Sequence, residues 1–188
     1  MSNPWREIRP GLRTSISPDE ICALAGLAHG RTCLEIGSAW GYAAIMMAQR
    51  GAAHVTSIDP HKPDEGNEQA TWTGAGMTAN LTHYRVADKV TMLCERSQEA
   101  MPRLFQSGAR FGLVFIDGDH SLETTTHDLL WATRLVDTGF VACHDYGPDG
   151  LPSVTEACDD VFPDGMSVTV GTLGVKQLWP AGSPAARR

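Results

Sequence analysis

Leu34-Glu35-Ile36-Gly37-Ser38-Ala39-Trp40-Gly41 is the stretch on which the fold reading turns. Thr32–Ile36 is a short, mostly apolar run that reads as a buried strand. Gly37 and Gly41 let the chain turn sharply and pass close to a ligand, and the helix that follows, through Arg50, offers free N–H groups at its start. The dinucleotide fingerprint G-x-G-x-x-G is not met, because Ser38-Ala39-Trp40 separates the two glycines. Glu35 stands two residues before the first glycine, where a carboxylate repels a pyrophosphate but suits a cationic or amino ligand. A plain tight turn between strand and helix is the alternative.

Outward from this unit the same alternation repeats. Before it, Ser17-Pro18-Asp19-Glu20 carries the marks of a helix start: a capping serine, a proline in the first turn and a glutamate able to reach back in a capping box. His29-Gly30 ends that helix. After it come a strand at His54–Asp59, a polar helical stretch from about Glu65 to Leu81, and a strand at Val90–Leu93. Then follow helix Ser97–Phe105, strand Gly112–Ile116, helix Ser121–Leu135, strand Phe140–Cys143 and a helix near Val154–Val161. Ser167–Val170 and Val175–Trp179 read as a hairpin around Gly171-Thr172-Leu173-Gly174. Short apolar strands alternating with helices predict an α/β fold. The expected architecture is a Rossmann-like doubly wound sheet, mostly parallel, with a C-terminal antiparallel hairpin strand.

The chain has 188 residues, a length that suits one domain, here 1–181, followed by a Pro/Ala/Arg tail at 182–188 that reads as disordered. With 15 Lys+Arg against 22 Asp+Glu the net charge is −7, and no basic run occurs before the terminal Arg187-Arg188, so a nucleic-acid partner is not expected. The longest apolar run, around Tyr42–Ala48, falls far short of the roughly 20 residues of a spanning helix, and Met1–Pro10 is polar, unlike a signal peptide. Neither a membrane nor secretion is indicated, and a cytoplasmic location is expected. The five cysteines are widely spread without a C-x-x-C pair; four sit in apolar stretches and read as buried free thiols.

Ligands of such sheets bind beyond the carboxyl ends of the strands, so the residues that end strands carry the functional reading. Asp59, about 20 positions after the glycine loop, is placed to accept hydrogen bonds from two ribose hydroxyls. Ser97 and Gln98 can meet an adenine edge, with helix capping by Ser97 as the alternative. Asp117 and Asp145 end what would be adjacent parallel strands, and two such carboxylates repel unless they share a proton or a divalent cation. His144 tilts that site toward a transition ion, and His120 has an ordinary pKa near neutral, suited to taking a proton from a hydroxyl. Alternatively, Asp117 and Asp119 merely cap the next helix and both histidines lie at the surface. His61 can border a nucleoside, while His29, His54, His83 and His127 read as structural or solvated. Among the aromatic residues Trp72 and Tyr146 rank as candidate pocket walls, ahead of Trp40 and Trp131.

In this order the motifs resemble the class I S-adenosylmethionine-dependent methyltransferases, and within them the small-molecule O-methyltransferases of the type 24 group and the metal-dependent, catechol O-methyltransferase-like branch. The likeness runs from about Ser17 to Tyr146. It implies that Glu35, Gly37, Ser38, Gly41, Asp59, Ser97, Gln98 and Asp117 surround S-adenosylmethionine. Asp117 and Asp145 then match the two metal aspartates, and His120 falls where catechol-type enzymes place a lysine base. The pairing of Asp117-Gly118-Asp119-His120-Ser121 with His144-Asp145-Tyr146 is closer to the type 24 group. Where the catechol type carries an asparagine ligand this chain has Tyr146, so His144 or water completes a magnesium or transition-metal sphere, or no metal binds. The expected activity is methyl transfer to a hydroxyl of a small molecule, with His120 as general base. Two other functions stay open: a cofactor-binding module without transferase activity, and a metal-dependent enzyme of other chemistry on this scaffold. The short portion before the glycine loop predicts an open acceptor pocket or one completed by a second subunit, hence a homo-oligomer.

Overall fold

The computed structural model describes residues 6–9, 11–62 and 73–179; Trp72, the start of the stretch read as helical from Glu65, and the tail at 182–188 lie outside these. The strands are β1 (Arg6–Arg9), β2 (Leu12–Thr14), β3 (Thr32–Ile36), β4 (His54–Ile58), β5 (Val90–Leu93), β6 (Leu113–Ile116), β7 (Gly139–Cys143), β8 (Val168–Val170) and β9 (Leu173–Leu178). The helices are α1 (Pro18–Ala28), α2 (Tyr42–Gln49), α3 (Thr73–His83), α4 (Ser97–Gln106), α5 (Leu122–Leu135) and α6 (Pro152–Val161). Seven strands form one sheet in the order β5-β4-β3-β6-β7-β9-β8, in which β9 runs antiparallel to β7 and β8. The chain leaves β3 toward one edge and resumes at β6 on its other side, which puts the switch point between β3 and β6.

The strands are nearly all apolar because both faces of the sheet are covered. One face packs Leu24, Ala44, Met47 and Met77 against Cys33, Val55 and Phe115; the other packs Met101, Leu129 and Ala157 against Leu34, Val114 and Val141. The capping box is present: Ser17 Oγ accepts from Glu20 N, and Glu20 Oε2 accepts from Ser17 N at 2.7 Å. Among the described residues no helix is long and apolar enough to cross a membrane.

Three features depart from the sequence reading. β1 and β2 form an antiparallel ribbon that no strand pattern announced, since each strand is only a few residues long. Three cysteines are buried (Cys33, Cys143, Cys158), not four; Cys22 and Cys94 are exposed, because a helix or strand end turns some apolar-flanked positions outward. Ser97 opens α4 without capping it: Arg96 is the cap position and makes no side-chain cap bond.

Candidate active site

Above the carboxyl ends of β3, β4 and β6 lies a cavity of about 570 Å³, lined on its floor by Glu35, Gly37, Ser38, Asp59 and Asp117. Gly37 is held at φ +87°, and a Cβ there would stand 2.1 Å from the carbonyl oxygen of Asp117, so the switch-point loops approach each other as only glycine permits. Gly41 caps α2 at φ 84°.

The two oxygens of Asp59 brace this loop. Oδ2 accepts from the backbone N–H groups of Ser38 at 3.1 Å and Ala39 at 2.8 Å, and Oδ1 from that of His61 at 2.7 Å. Asp59 lines the cavity with lone pairs to spare, whereas the His61 ring is turned to Thr73 Oγ1 at 2.9 Å. Ser97 and Gln98 stand on the wall contributed by α4, with Thr124 and Asp128 of α5 beside them.

Glu35 is fully buried. Its Oε2 accepts from the Ser57 hydroxyl at 2.5 Å, while Oε1 has no partner. Burial pushes its carboxyl up to about 8, against the help of Ser57. Ser38 Oγ is likewise buried and unpartnered. Orphaned polar atoms on a cavity floor, beside a glycine cradle, fit a ligand that brings an amino donor.

On the other side of the switch point the charges are paired. Asp117 follows β6 and Asp145 follows β7, its φ of +58° placing it in the left-handed region. His120 Nε2 lies 3.2 Å from Asp145 Oδ2 and 3.8 Å from Asp117 Oδ1. These contacts raise the imidazole to about 9. Beneath them His144, only 4% exposed, sets Nδ1 at 3.3 Å from both carboxylates and Nε2 at 3.5 Å from Glu20 Oε2, although none of these contacts has hydrogen-bond geometry. Burial lowers the His144 imidazole, but the contacts with Asp117 and Asp145 outweigh it and carry it to about 11. Burial likewise works against ionisation of Asp145, and the two imidazoles more than offset it, holding the carboxyl well below its ordinary range.

Asp117, His120 and Asp145 bring one ligand atom each within 4.8 Å of one another, a donor set of two carboxylates and an imidazole that fits a divalent cation. His144 stands behind that set. Tyr146 is turned away from the site: its hydroxyl donates to Asp159 Oδ1 at 3.1 Å and its ring packs over Gly174. Trp40 lines the cavity where Tyr146 does not, which overturns the ranking of Tyr146 ahead of Trp40; Trp131, ranked behind as well, packs on Phe105, and Trp72 lies outside the described residues. His29, His54, His83 and His127 make structural contacts with Arg50, Thr91, Tyr84 and Asp128.

Two contributions escaped the sequence reading. Arg13, Thr14, Ser15 and Ile16, at the end of β2 and beyond, line the cavity, and Asn80 ties the ribbon to the glycine loop by donating to the carbonyls of Gly11 and Trp40. Glu20 does more than cap α1, since its Oε1 accepts from the Thr172 N–H at 2.7 Å and hydroxyl at 3.0 Å. The Pro10-Gly11 dipeptide in the sequence was the available signal for the first; the second spans 152 residues of sequence and has none.

A doubly wound sheet with a glycine loop at its switch point and acidic residues closing β4, β6 and β7 is the fold of the class I methyltransferases. A family model described as a methyltransferase domain, of the type 24 group, matches residues 34–146, and the chain belongs to this family. A catechol O-methyltransferase of Mycobacterium tuberculosis (strain ATCC 25618 / H37Rv) is 32% identical over 124 residues, 64% of this chain and 50% of the relative. The chain thus spans about half the length of that curated relative. A cofactor-bound protein from MTB is similar in structure at 26% identity and TM-score 0.58, covering 69% of this chain and 56% of its own. The O-methyltransferase TomG of Streptomyces achromogenes, involved in tomaymycin synthesis and solved in complex with SAM, shares the fold at 20% identity and TM-score 0.63, covering 85% and 78%.

Proposed function

We propose that the chain transfers a methyl group from S-adenosylmethionine to a hydroxyl oxygen of a small molecule. What chiefly supports this is Glu35, a buried carboxyl with an unpartnered oxygen on the cavity floor, in a chain of this family. Bound in the cavity, S-adenosylmethionine supplies an electrophilic methyl group. In this reading Glu35 receives the amino group of the methionine end. Gly37, Ser38 and Gly41 let the backbone close on that end, Asp59 takes the ribose hydroxyls, and Ser97 with Gln98 faces the adenine. The chain's task is to hold the acceptor oxygen in line and relieve it of its proton.

Asp117, His120 and Asp145 would hold a divalent cation, magnesium or, given the imidazole, a transition ion; such a cation lowers the pKa of a hydroxyl bound to it. Two roles for His120 then compete at one nitrogen. Nε2 faces both carboxylates and serves either as ligand or as proton acceptor. As acceptor it works only in the neutral form, which the raised pKa of about 9 makes the minor one at neutral pH. A homo-oligomer that covers the acceptor side, where the His120 side chain stands 43% exposed, belongs to the same proposal; so does a cytoplasmic location.

Calorimetry with S-adenosylhomocysteine, with and without EDTA, tests the cofactor half. Absence of binding at millimolar concentration refutes it. For the reaction, a product-mass assay on hydroxylated metabolites with added Mg²⁺, Mn²⁺ or Fe²⁺ is expected to show a gain of one methyl group. His120→Ala is expected to bind S-adenosylhomocysteine normally and lose turnover; a bare binding module shows no turnover to lose.

A further inference from the structure

Arg13 takes no part in the reading above, although it lines the cavity. The basic residues Lys62 and Arg96 also line it, but they stand by the groups assigned to the cofactor: Lys62 just after Asp59 and His61, Arg96 just before Ser97. Arg13 comes instead from β2, at the head of the segment Arg13–Ile16.

This segment joins the two halves of the site. At one end the Arg13 guanidinium lies over the ring of Trp40, 5.8 Å from its centroid, and Trp40 belongs to the glycine loop. At the other end the Ser17 N–H donates to Glu20 Oε2 at 2.7 Å. That oxygen is 3.5 Å from Nε2 of His144, whose Nδ1 faces Asp117 and Asp145. Arg13–Ile16 thus runs from the cofactor loop to the cluster that would activate an acceptor hydroxyl.

A guanidinium held at an indole by cation–π attraction keeps its N–H donors for another partner. Arg13 is exposed, and among the described side chains it makes no hydrogen bond or ion pair. The methionine end of the cofactor belongs to Glu35, fully buried on the cavity floor, which leaves the exposed charge of Arg13 to the acceptor.

We propose that Arg13 is a specificity-determining residue and that the acceptor is a hydroxy acid, its carboxylate meeting the Arg13 fork while its hydroxyl reaches Asp117, His120 and Asp145. Guanidinium and carboxylate match as a bidentate pair. A singly charged carboxylate suits the place better than a phosphate, because Asp59, Asp117 and Asp145 make the rest of the site acidic. The carboxylate is not the reacting group. The methyl leaves the sulfonium sulfur, which keeps the electron pair of the broken bond, and joins the hydroxyl oxygen, which gives up its proton. The assignment rests on the methyl-transfer reading and narrows its substrate class.

The test is the product-mass assay with S-adenosylmethionine on matched pairs, protocatechuate with its amide and glucuronate with glucuronamide. Each amide keeps the hydroxyls and the shape but not the charge. The wild type is expected to use at least one acid with kcat/KM about 10–100-fold above that of its amide, the fold-change a charge-assisted hydrogen bond confers. Arg13→Gln is expected to abolish the preference through KM, with kcat within about threefold, because the guanidinium binds a remote group and not the reacting oxygen. Arg13→Lys, which keeps the charge without the fork, should retain part of the preference and carries the comparison should the glutamine variant not fold. Glu7 stands opposite Arg13 in the ribbon register, and Glu7→Gln is expected to leave the preference unchanged.

A wild-type preference below about threefold in both pairs is no discrimination and overturns the assignment, as does a folded Arg13→Gln that keeps the preference. A preference that emerges only in Glu7→Gln also overturns it, since Arg13 is then committed to Glu7. So does a loss of about tenfold in S-adenosylhomocysteine affinity in Arg13→Gln, which gives the guanidinium to the cofactor's own carboxylate. Methylation of neutral members of the wider metabolite panel, with neither acid used, refutes the assignment alone. No methylation of any compound sinks the methyl-transfer reading, and this assignment with it.

Discussion

Glu35 and Asp145 are both acids near the carboxyl ends of strands that flank β6, yet their environments drive them in opposite directions. Burial, with Asp117 and Asp59 nearby, pushes Glu35 up to about 8 against the hydrogen bond from Ser57, so it is largely protonated at neutral pH. Asp145, between His120 and His144, is held well below the usual carboxylate range. Burial opposes ionisation of both, and what separates them is whether the fold supplies a cation. One side of the switch point thus lacks a charge partner that an amino ligand can bring; the other already carries a compensated cluster.

Breaking the paired side should have the largest effect. Asp145→Asn removes a carboxylate that both imidazoles face, and kcat is expected to drop by about 10²–10⁴-fold, the usual share of acid–base groups. Affinity for S-adenosylhomocysteine should stay within about threefold, since Asp145 does not line the cofactor cavity. Product-mass kinetics beside calorimetry will separate the two.

Glu35→Gln acts on the other side. Loss of a charge-assisted bond to the amino group is expected to weaken S-adenosylhomocysteine by about 1.5–3 kcal/mol. Because Glu35 is protonated in the free protein, binding near pH 7 should release a proton from the wild type and none from the variant, read from calorimetry in buffers of different ionisation enthalpy. The sign for folding is the reverse of the usual acid. With a folded pKa of about 8 above the ordinary carboxyl value of 4.5, Glu35 weakens the fold as pH rises through that window, and Glu35→Gln should remove this contribution.

Gly37→Ala presses on the boundary between the two regions. The added Cβ meets the Asp117 carbonyl oxygen at 2.1 Å from a left-handed backbone, and a loss of about 1–3 kcal/mol of stability with weakened cofactor binding is expected in a denaturant titration. The smallest effect concerns Glu20, which caps α1, receives Thr172 and stands behind His144. Burial would raise its carboxyl, but the bonds from Ser17 and Thr172 hold it at about 2. Its contribution is therefore complete above the ordinary carboxyl value of 4.5 and is lost as pH falls toward about 2. Glu20→Gln should lower stability at neutral pH by about 1 kcal/mol and flatten the acid limb of the pH–stability curve.

The regular part of the fold was legible because its determinants are local. Ser17 and Glu20 announce α1, the apolar run Thr32–Ile36 announces β3, and Gly171 marks the closing hairpin. The β1–β2 ribbon was not, since strands so short carry no measurable alternation and their pairing depends on what they rest against. Among the site residues, those standing at strand ends could be picked out by position. Arg13 could not: in a strand that short, nothing local distinguishes it from a surface cation.

The sequence alone determined which residues close the strands and, through the glycine loop and the order of acidic positions, which family the chain resembles; both follow from short-range patterns of backbone freedom and apolar spacing. Only the tertiary structure decided how those acids differ. It set Glu35 alone on the cavity floor, and it placed His120 and His144 against Asp117 and Asp145. It turned Tyr146 toward Asp159 and brought Arg13 to the cavity. Ionisation depends on burial and on partners brought from distant segments, Glu20 and Thr172 among them, so it becomes fixed only once the sheet has assembled.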